Sequence, residues 1–490
     1  MRSASLPQET DPRAGPRTPV QSYESSLTPP SDAQPNASGG LAARLGLFDA
    51  TMVVMGGIVG SGIFINPYIV ARLVHTPALI LGAWIAGGAL ALIGAFIYAE
   101  LADRMPKVGG QYAYLREAYH PVIGFLSGWA SLLVIGSGGA AAVAVTFAKY
   151  FREFAFNAIP ENIIAVLVVV ALTIINCLGV RMGSGVQSLF MVLRILAITL
   201  VVGWGAWFFF SSPAAPHAPW HPLVDRPASF DLLTVMGATM VPVMFAYGGW
   251  QTSNFIASEI REPRKNLPRA LLLGVLGIIG LYVSVNFIYV QALGPAGLAG
   301  TTTPASEVMR LALGERGASL IAAAIAISTI GFLSQSLLTY PRVYFAMADD
   351  GVLPRGIARV HSRNRAPVAA IALQGIVISA VVLLGTYEQI LSYVVVMDWL
   401  FFGLAASCVF IFRRREKHGA GTPASAGDAD YRVPGHPWTT GIFVASSALI
   451  VLDTIYKYPR NAGVALCILL VGVPVYFLVS GRARRPAGAE

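Results

Sequence analysis

The chain has 490 residues, of which 55% are hydrophobic and only 12% are charged, and its formal net charge is +9. Soluble domains carry about twice that charged fraction, so the composition argues against a soluble enzyme and predicts a polytopic membrane protein. The positive charge does not predict a nucleic-acid partner, because the basic residues fall in short segments between long apolar runs.

The apolar runs and the polar stretches between them predict the organisation of the chain. Residues 1–43 are rich in Pro, Ser and Thr, which predicts a disordered tail. Twelve apolar runs follow, each taken as a membrane-spanning helix. The predicted spans are residues 46–73, 77–101, 121–149, 162–180, 186–210, 231–257, 269–293, 317–347, 366–385, 388–412, 438–456 and 462–480. The predicted units are a ten-helix core at 44–413, a linker at 414–437, helices 11 and 12 at 438–481, and a tail at 482–490.

The basic residues also predict the orientation of the chain. If the N-terminus lies inside, 25 of the 34 Lys and Arg residues fall in inner segments and eight in outer ones. Positive charge is retained on the cytoplasmic side of a membrane. We therefore expect both termini in the cytoplasm, in a plasma membrane such as a bacterial inner membrane.

Span one contains a cluster of glycines that does not suit a continuous helix. Val53–Pro67 reads V-V-M-G-G-I-V-G-S-G-I-F-I-N-P. Glycine weakens a helix, so we interpret Gly60-Ser61-Gly62 as a break between two half-helices. The alternative is a face of small residues for close helix packing.

Such a break exposes backbone groups of both signs. The N–H groups of Ser61, Gly62 and Ile63 would lie at the positive N-terminus of the second half-helix, which favours a carboxylate. The carbonyls of Ile58 and Val59 would face an ammonium group. Together they predict a site for an α-amino acid, since unpaired backbone at membrane depth needs a cavity or a partner.

Span six carries a second break at Gly248-Gly249, within Phe245–Phe255. Free carbonyls at Phe245 and Ala246 would complete the ammonium site, with Phe245, Tyr247 and Trp250 as its walls. Spans one and six each begin a block of five spans. Broken helices at matching positions of two blocks are typical of inverted-repeat transporters with a site at the midplane.

The chain resembles the amino acid–polyamine–organocation permeases in four stretches. These are Gly60–Phe64 (G-S-G-I-F), Phe245–Trp250 (F-A-Y-G-G-W), Ser258–Ala270 and Arg342–Pro354. The L-type amino acid transporter branch is the most similar, with prokaryotic members the better comparison. The resemblance implies an all-α membrane protein with a five-plus-five inverted repeat, and a secondary transporter of amino acids.

The resemblance also implies roles for individual residues. The α-carboxylate would bind at Ser61 and Gly62, and the α-amino group at carbonyls of Ile58, Phe245, Ala246 and Gly248. With neighbours in both breaks, the predicted substrate site is Ile58, Gly60, Ser61, Gly62, Ile63, Phe245, Ala246, Gly248, Trp250 and Gln251. Animal L-type transporters join a heavy chain through a cysteine in the outer loop after span three. Residues 150–161 have no cysteine, so no disulfide-linked partner is expected.

Arg194 lies within span five, about 12 Å below the inner face, where a charge needs an interior partner or must snorkel to the interface. In resembling permeases a lysine often occupies this segment, where sodium-coupled relatives hold a sodium ion. By that likeness Arg194 would contact carbonyls near Gly57 and the hydroxyl of Ser328. Arginine keeps its charge, so we expect a sodium-independent exchanger or uniporter. The alternatives are a proton-coupled or cationic amino acid or polyamine permease, and an amino acid sensor.

Span ten carries Asp398 and Trp399 near mid-depth, predicted as gate or specificity residues. Asp398 would read a cationic side chain, pair within an outer gate, or hydrogen-bond to span one or six. Span three carries the small-residue run Gly136–Gly139, which would either leave room for a substrate side chain or pack closely against another helix. Gln251 offers one amide donor and acceptor to that pocket, and nothing in the pocket is charged, which favours neutral amino acids.

Neither an enzyme nor a channel is expected. All seven histidines fall in loops and the three cysteines in apolar runs, without the spacing of catalytic or metal-binding motifs. We therefore expect no cofactor and no metal. No span supplies the continuous polar lining of a channel.

Overall fold

The computed structural model describes residues 45–105, 110–154, 158–178, 184–211, 220–225, 227, 229–255, 257–359, 367–418 and 431–483. These residues belong to one compact unit, Ala42–Glu490. The predicted tail at 1–43 lies outside them, as do residues 484–490 of the other tail and 419–430 of the predicted linker.

The described chain is almost entirely helical. The first half contains α1 (Leu47–Ile58), α2 (Gly62–Leu73), α3 (Pro77–Arg104), α4 (Gln111–Ala118), α5 (Pro121–Ala130), α6 (Gly136–Phe154), α7 (Glu161–Cys177), α8 (Ser184–Ser211), α9 (Phe230–Tyr247) and α10 (Thr252–Phe255). A π-helical turn, Ser131–Ile135, joins α5 to α6. The second half contains α11 (Pro263–Gly300), α12 (Pro304–Thr339), α13 (Pro341–Asp349), α14 (Val368–Leu384), α15 (Tyr387–Lys417), α16 (Trp438–Lys457) and α17 (Pro459–Ala483).

The lengths and composition of these helices match a multi-pass membrane protein. Within the described ranges, ten helical stretches are long and apolar enough to cross a bilayer. Two shorter apolar helices, α7 and α14, have 17 residues each. The predicted all-α membrane class is thereby confirmed.

Some predicted boundaries differ from the structure for local reasons. The predicted span at 231–257 stops at Tyr247, because the glycine pair ends α9. The predicted span at 317–347 covers the end of α12 and most of α13, which begins at Pro341. Proline favours the first position of a new helix, and this separates the two.

The two halves of span one lie at the centre of the helix packing. α1 and α2 contact α11, while α2 also packs along α9 and α1 along α10 and α8. α3 packs along α11, and α12 lies against α6 and α8. α16 and α17 pack on α15. The broken spans are thus enclosed by other helices, and most residues of α1 and α2 are buried.

The polar segment after span two forms the short helix α4, which is largely buried rather than lying free at an interface. The Tyr114 hydroxyl accepts a hydrogen bond from Asn254 Nδ2 at 3.1 Å, directly after the second break. Tyr112 donates to Asp350 Oδ2 at 2.6 Å. Burial, followed by this hydrogen bond, raises the pKa of the Tyr112 hydroxyl, so it remains a donor. α4 therefore connects α10 to the end of α13.

Candidate functional site

The first break separates α1 from α2 where the sequence predicted it. α1 ends at Ile58 and α2 begins at Gly62. Within the described part of the chain, the N–H groups of Ser61, Gly62 and Ile63 have no hydrogen-bond partner. Ser61 is completely buried. Three unpaired donors at the start of a buried helix form a site for an anion.

Arg194 closes the carbonyl side of this break from α8. Its side chain is 2% exposed. Nη1 donates to the carbonyls of Gly56 at 3.1 Å and Val59 at 3.0 Å, and Nε donates to the Ser328 carbonyl at 2.8 Å. The guanidinium therefore lies inside the protein, bridging α1 and α12.

Two expectations about these groups are wrong in detail. The Ser328 hydroxyl does not meet Arg194, because it donates to the Ile325 carbonyl one turn back at 2.9 Å, as helical serines do. The carbonyls of Ile58 and Val59 are not free. Ile58 accepts from the Gly60 N–H at 2.8 Å and the Tyr282 hydroxyl at 3.3 Å, while Val59 accepts from Arg194.

The second break lies between α9 and α10. Gly249 has φ of 104°, a conformation that glycine adopts without strain. Its N–H donates to Gln251 Oε1 at 3.0 Å, and its carbonyl accepts from the Thr252 hydroxyl at 2.8 Å. Among the residues that the structure describes, no donor reaches the carbonyls of Phe245 and Ala246. This break presents acceptors, which suit a cation.

The two breaks touch through glycines. A Cβ on Gly249 would lie 2.0 Å from the Gly57 carbonyl oxygen, and a Cβ on Gly62 would lie 2.6 Å from the Ala246 Cβ. Neither distance is tolerable for a side chain. The glycines therefore allow close helix packing, the alternative interpretation, in addition to breaking the helices.

One cavity joins the two breaks. Its lining includes eight of the predicted site residues: Ile58, Gly60, Ser61, Gly62, Phe245, Gly248, Asp398 and Trp399. The other predicted residues lie behind the wall: Ile63, Ala246, Trp250, Gln251, Arg194 and Ser328. Trp250 is fully buried against Phe402, with ring centroids 4.8 Å apart. It supports the second break from outside the cavity.

α12 contributes one wall of the cavity, which was not predicted from the sequence. Phe332, Gln335, Ser336 and Thr339 line the cavity, with Tyr340 directly after them. Their spacing of three and four residues places them on one helix face. Polar residues at that spacing in an apolar span were a usable signal. Gly139 of the small-residue run also lines the cavity, and a Cβ there would meet nothing within 4 Å.

Asp398 is 9% exposed, and among the described residues it is the one charged side chain that lines the cavity. Its Oδ1 accepts a long hydrogen bond, 3.5 Å, from Gln251 Nε2. Gln251 is held in turn by the Gly249 N–H. The predicted hydrogen bond from span ten to span six is present.

A second polar contact from span ten reaches the first break. The Tyr387 hydroxyl donates to Asn66 Oδ1 at 3.0 Å and lies 3.4 Å from Ser61 Oγ. Asn66 Nδ2 donates to the Pro242 carbonyl at 2.6 Å, which fastens α2 to α9. The sequence analysis did not identify this pair.

A family model described as "Amino acid permease" matches residues 45–477 of the chain. The chain belongs to the amino acid permease family. This permease is a membrane transporter and not an enzyme, and its membership of the amino acid–polyamine–organocation superfamily is confirmed.

Curated relatives match this permease over almost its whole length. It is 30% identical over 471 residues to the human large neutral amino acids transporter small subunit 2, covering 91% of this chain and 83% of that protein. It is 29% identical to the serine/threonine exchanger SteT of Bacillus subtilis, covering 89% and 97%. It is 28% identical to the human Asc-type amino acid transporter 1, covering 91% and 84%.

Proposed function

We propose that this permease moves neutral amino acids across the membrane by alternating access, as a sodium-independent exchanger or uniporter. One observation carries the proposal. A single cavity meets unpaired N–H donors at one helix break and unpaired carbonyl acceptors at the other. A zwitterion with a carboxylate and an ammonium group on one carbon matches both. The names of the relatives, which refer to large neutral amino acids and to serine and threonine, support the substrate class.

The substrate site is proposed at these breaks. The carboxylate would accept hydrogen bonds from Ser61 and Gly62, which line the cavity, with Ile63 next in the helix behind them, while Gly60 and Ile58 shape the turn. The ammonium group would face carbonyls of Phe245 and Gly248, with Ala246 between them in sequence but behind the cavity wall. Trp250 and Gln251 hold this second break in place, and Trp399 would help to close the cavity.

Coupling is proposed to depend on Arg194. Its guanidinium donates hydrogen bonds to the carbonyls of Gly56, Val59 and Ser328. It therefore occupies a position that would also suit a metal cation. Arginine retains its proton at any accessible pH. A fixed cation there would make a sodium ion unnecessary and would give no proton-binding step at this residue.

The finer architecture is part of the same proposal. Twelve spans would form a five-plus-five inverted repeat at 44–413 followed by helices at 438–481, joined by the linker at 414–437. The charge pattern supports cytoplasmic termini, tails 1–43 and 482–490, in a plasma membrane. The absence of cysteine at 150–161 argues against a disulfide-linked partner.

The test is uptake by the purified full-length chain in liposomes. We expect entry of labelled leucine or serine that is accelerated by unlabelled amino acid inside and unchanged when sodium is replaced by choline. Acceleration by a sodium gradient would contradict the coupling proposal. Binding of amino acid without any uptake would contradict transport and would favour a sensor.

A further inference from the structure

The carbonyl groups at the two breaks differ in how far the protein already occupies them. At the first break, Arg194 occupies the carbonyls of Gly56 and Val59, and Gly60 and Tyr282 occupy that of Ile58. Arg194 also places a positive charge behind this break. With three carbonyls occupied and a positive charge behind it, the first break is less suited to an ammonium group than the second.

The second break offers both unpaired carbonyls and a negative charge. Asp398 lines the cavity next to Gly248, where a Cβ on that glycine would lie 3.7 Å from Oδ2. Oδ1 is oriented by Gln251, so Oδ2 is the carboxylate oxygen left for a ligand. In the described part of the chain, no Lys, Arg or His forms a salt bridge with Asp398.

A buried carboxylate without a protein cation is costly in a membrane, and the group it faces should supply the missing positive charge. We propose that Asp398 is the counter-ion of the substrate's α-ammonium group. This inference rests on the proposed function. It means that Asp398 would bind the α-ammonium group common to every substrate, rather than the side chain of a cationic substrate.

The alternatives differ in what they predict for leucine. The α-ammonium is the one cationic group of leucine, and its side chain offers no hydrogen bond. If Asp398 read a cationic side chain, leucine would not depend on its charge. If Asp398 only oriented Gln251, the neutral amide of asparagine could keep that contact, and substrate affinity would change little.

The experiment measures KM for leucine, alanine and serine in liposomes with the full chain and with Asp398→Asn. Charge-assisted hydrogen bonds are the stronger ones, so we expect KM to rise about tenfold or more. The factors by which KM rises for the three substrates should agree within about twofold, because all three lose the same contact between the α-ammonium group and Asp398. Leucinol, which has the amine but no carboxylate, should compete with leucine in the wild type and lose competition in Asp398→Asn.

Asp453→Asn is the matched control, because Asp453 is also an acid within an apolar span but packs against Gly237, away from the cavity. Asp398→Glu keeps the charge and should retain more leucine affinity than Asp398→Asn. A leucine KM within twofold of wild type in Asp398→Asn, or unequal factors for the three substrates, would overturn the inference alone. A wild-type chain that moves none of the three contradicts the proposed function and the inference with it.

Discussion

The two helix breaks begin from similar sequence and end with opposite polarity. At the first break, between α1 and α2, Arg194 and Tyr282 donate to the carbonyls of Gly56, Ile58 and Val59, while the N–H groups of Ser61, Gly62 and Ile63 have no partner in the described chain. At the second, between α9 and α10, Gln251 occupies the N–H of Gly249, while the carbonyls of Phe245 and Ala246 receive no donor from the described chain.

This difference indicates that a glycine cluster breaks the helix without determining which charge the break would attract. The charge preference depends on which backbone groups the neighbouring helices occupy. α8 and α11 supply donors to the first break, which favours an anion there. α15 supplies the acid of Asp398 to the second, which favours a cation there. An amino acid would then bind in one orientation.

The largest effect should follow from removing the cation behind the first break. Arg194→Met leaves three buried carbonyls without their donor, and charged hydrogen bonds contribute about 1.5–3 kcal/mol each. We expect uptake in liposomes to fall at least about 100-fold. Arg194→Lys should retain part of the activity, because an ammonium group replaces the charge but not the planar fork.

The control for this change is Arg310→Met, since Arg310 is a half-exposed arginine paired with Glu315. Its uptake should stay within twofold of wild type. Uptake by Arg194→Met at more than a tenth of the wild-type rate would mean that transport does not depend on the hydrogen bonds from Arg194 to the carbonyls of the first break.

A smaller loss should follow from separating the two breaks. Gly249→Ala places a methyl group at 2.0 Å from the Gly57 carbonyl and at a positive φ. We expect uptake to fall about tenfold and the thermal unfolding midpoint to decrease, as overpacking costs about 1–3 kcal/mol. Gly280→Ala is the control, because a Cβ there meets nothing within 4 Å. Equal behaviour of the two variants would show that the breaks tolerate separation.

The smallest effect should be confined to large substrates. Gly139 lines the cavity and a Cβ there meets nothing within 4 Å, so the side chain of Gly139→Leu starts in open space and reduces the volume of the cavity. We expect KM for leucine to rise about tenfold relative to KM for alanine. Gly203→Leu is the matched control, because Gly203 has equally open surroundings but lies outside the cavity. A parallel change for both substrates would indicate that Gly139 serves helix packing instead.

The sequence predicts what depends on local chain chemistry. Apolar length predicts the helices, and glycines at positions 60 and 62 and at 248 and 249 predict both breaks, since helix interruption is a local property of the backbone. Arg194 was detectable because a charge inside an apolar run must find a partner.

The sequence does not predict which groups meet across the fold. Tyr282 approaches the Ile58 carbonyl from α11, and Tyr387 approaches Asn66 from α15. From sequence alone, a buried tyrosine whose hydroxyl forms a hydrogen bond cannot be distinguished from one that only packs in the core. For the same reason the sequence did not predict that the Ser328 hydroxyl donates to a carbonyl of its own helix rather than contacting Arg194. The sequence therefore predicted the N–H donors of the first break but not that its Ile58 and Val59 carbonyls are already occupied.

The most direct test of the assigned polarity is an experimental structure of the full chain with a bound amino acid. We expect carboxylate oxygens within about 3 Å of the N–H groups of Ser61 and Gly62. We expect the ammonium nitrogen at the same distance from the Phe245 carbonyl and from Asp398 Oδ2. An amino acid bound in the reverse orientation, with its ammonium group at the first break and its carboxylate near Asp398, would contradict the assigned polarity.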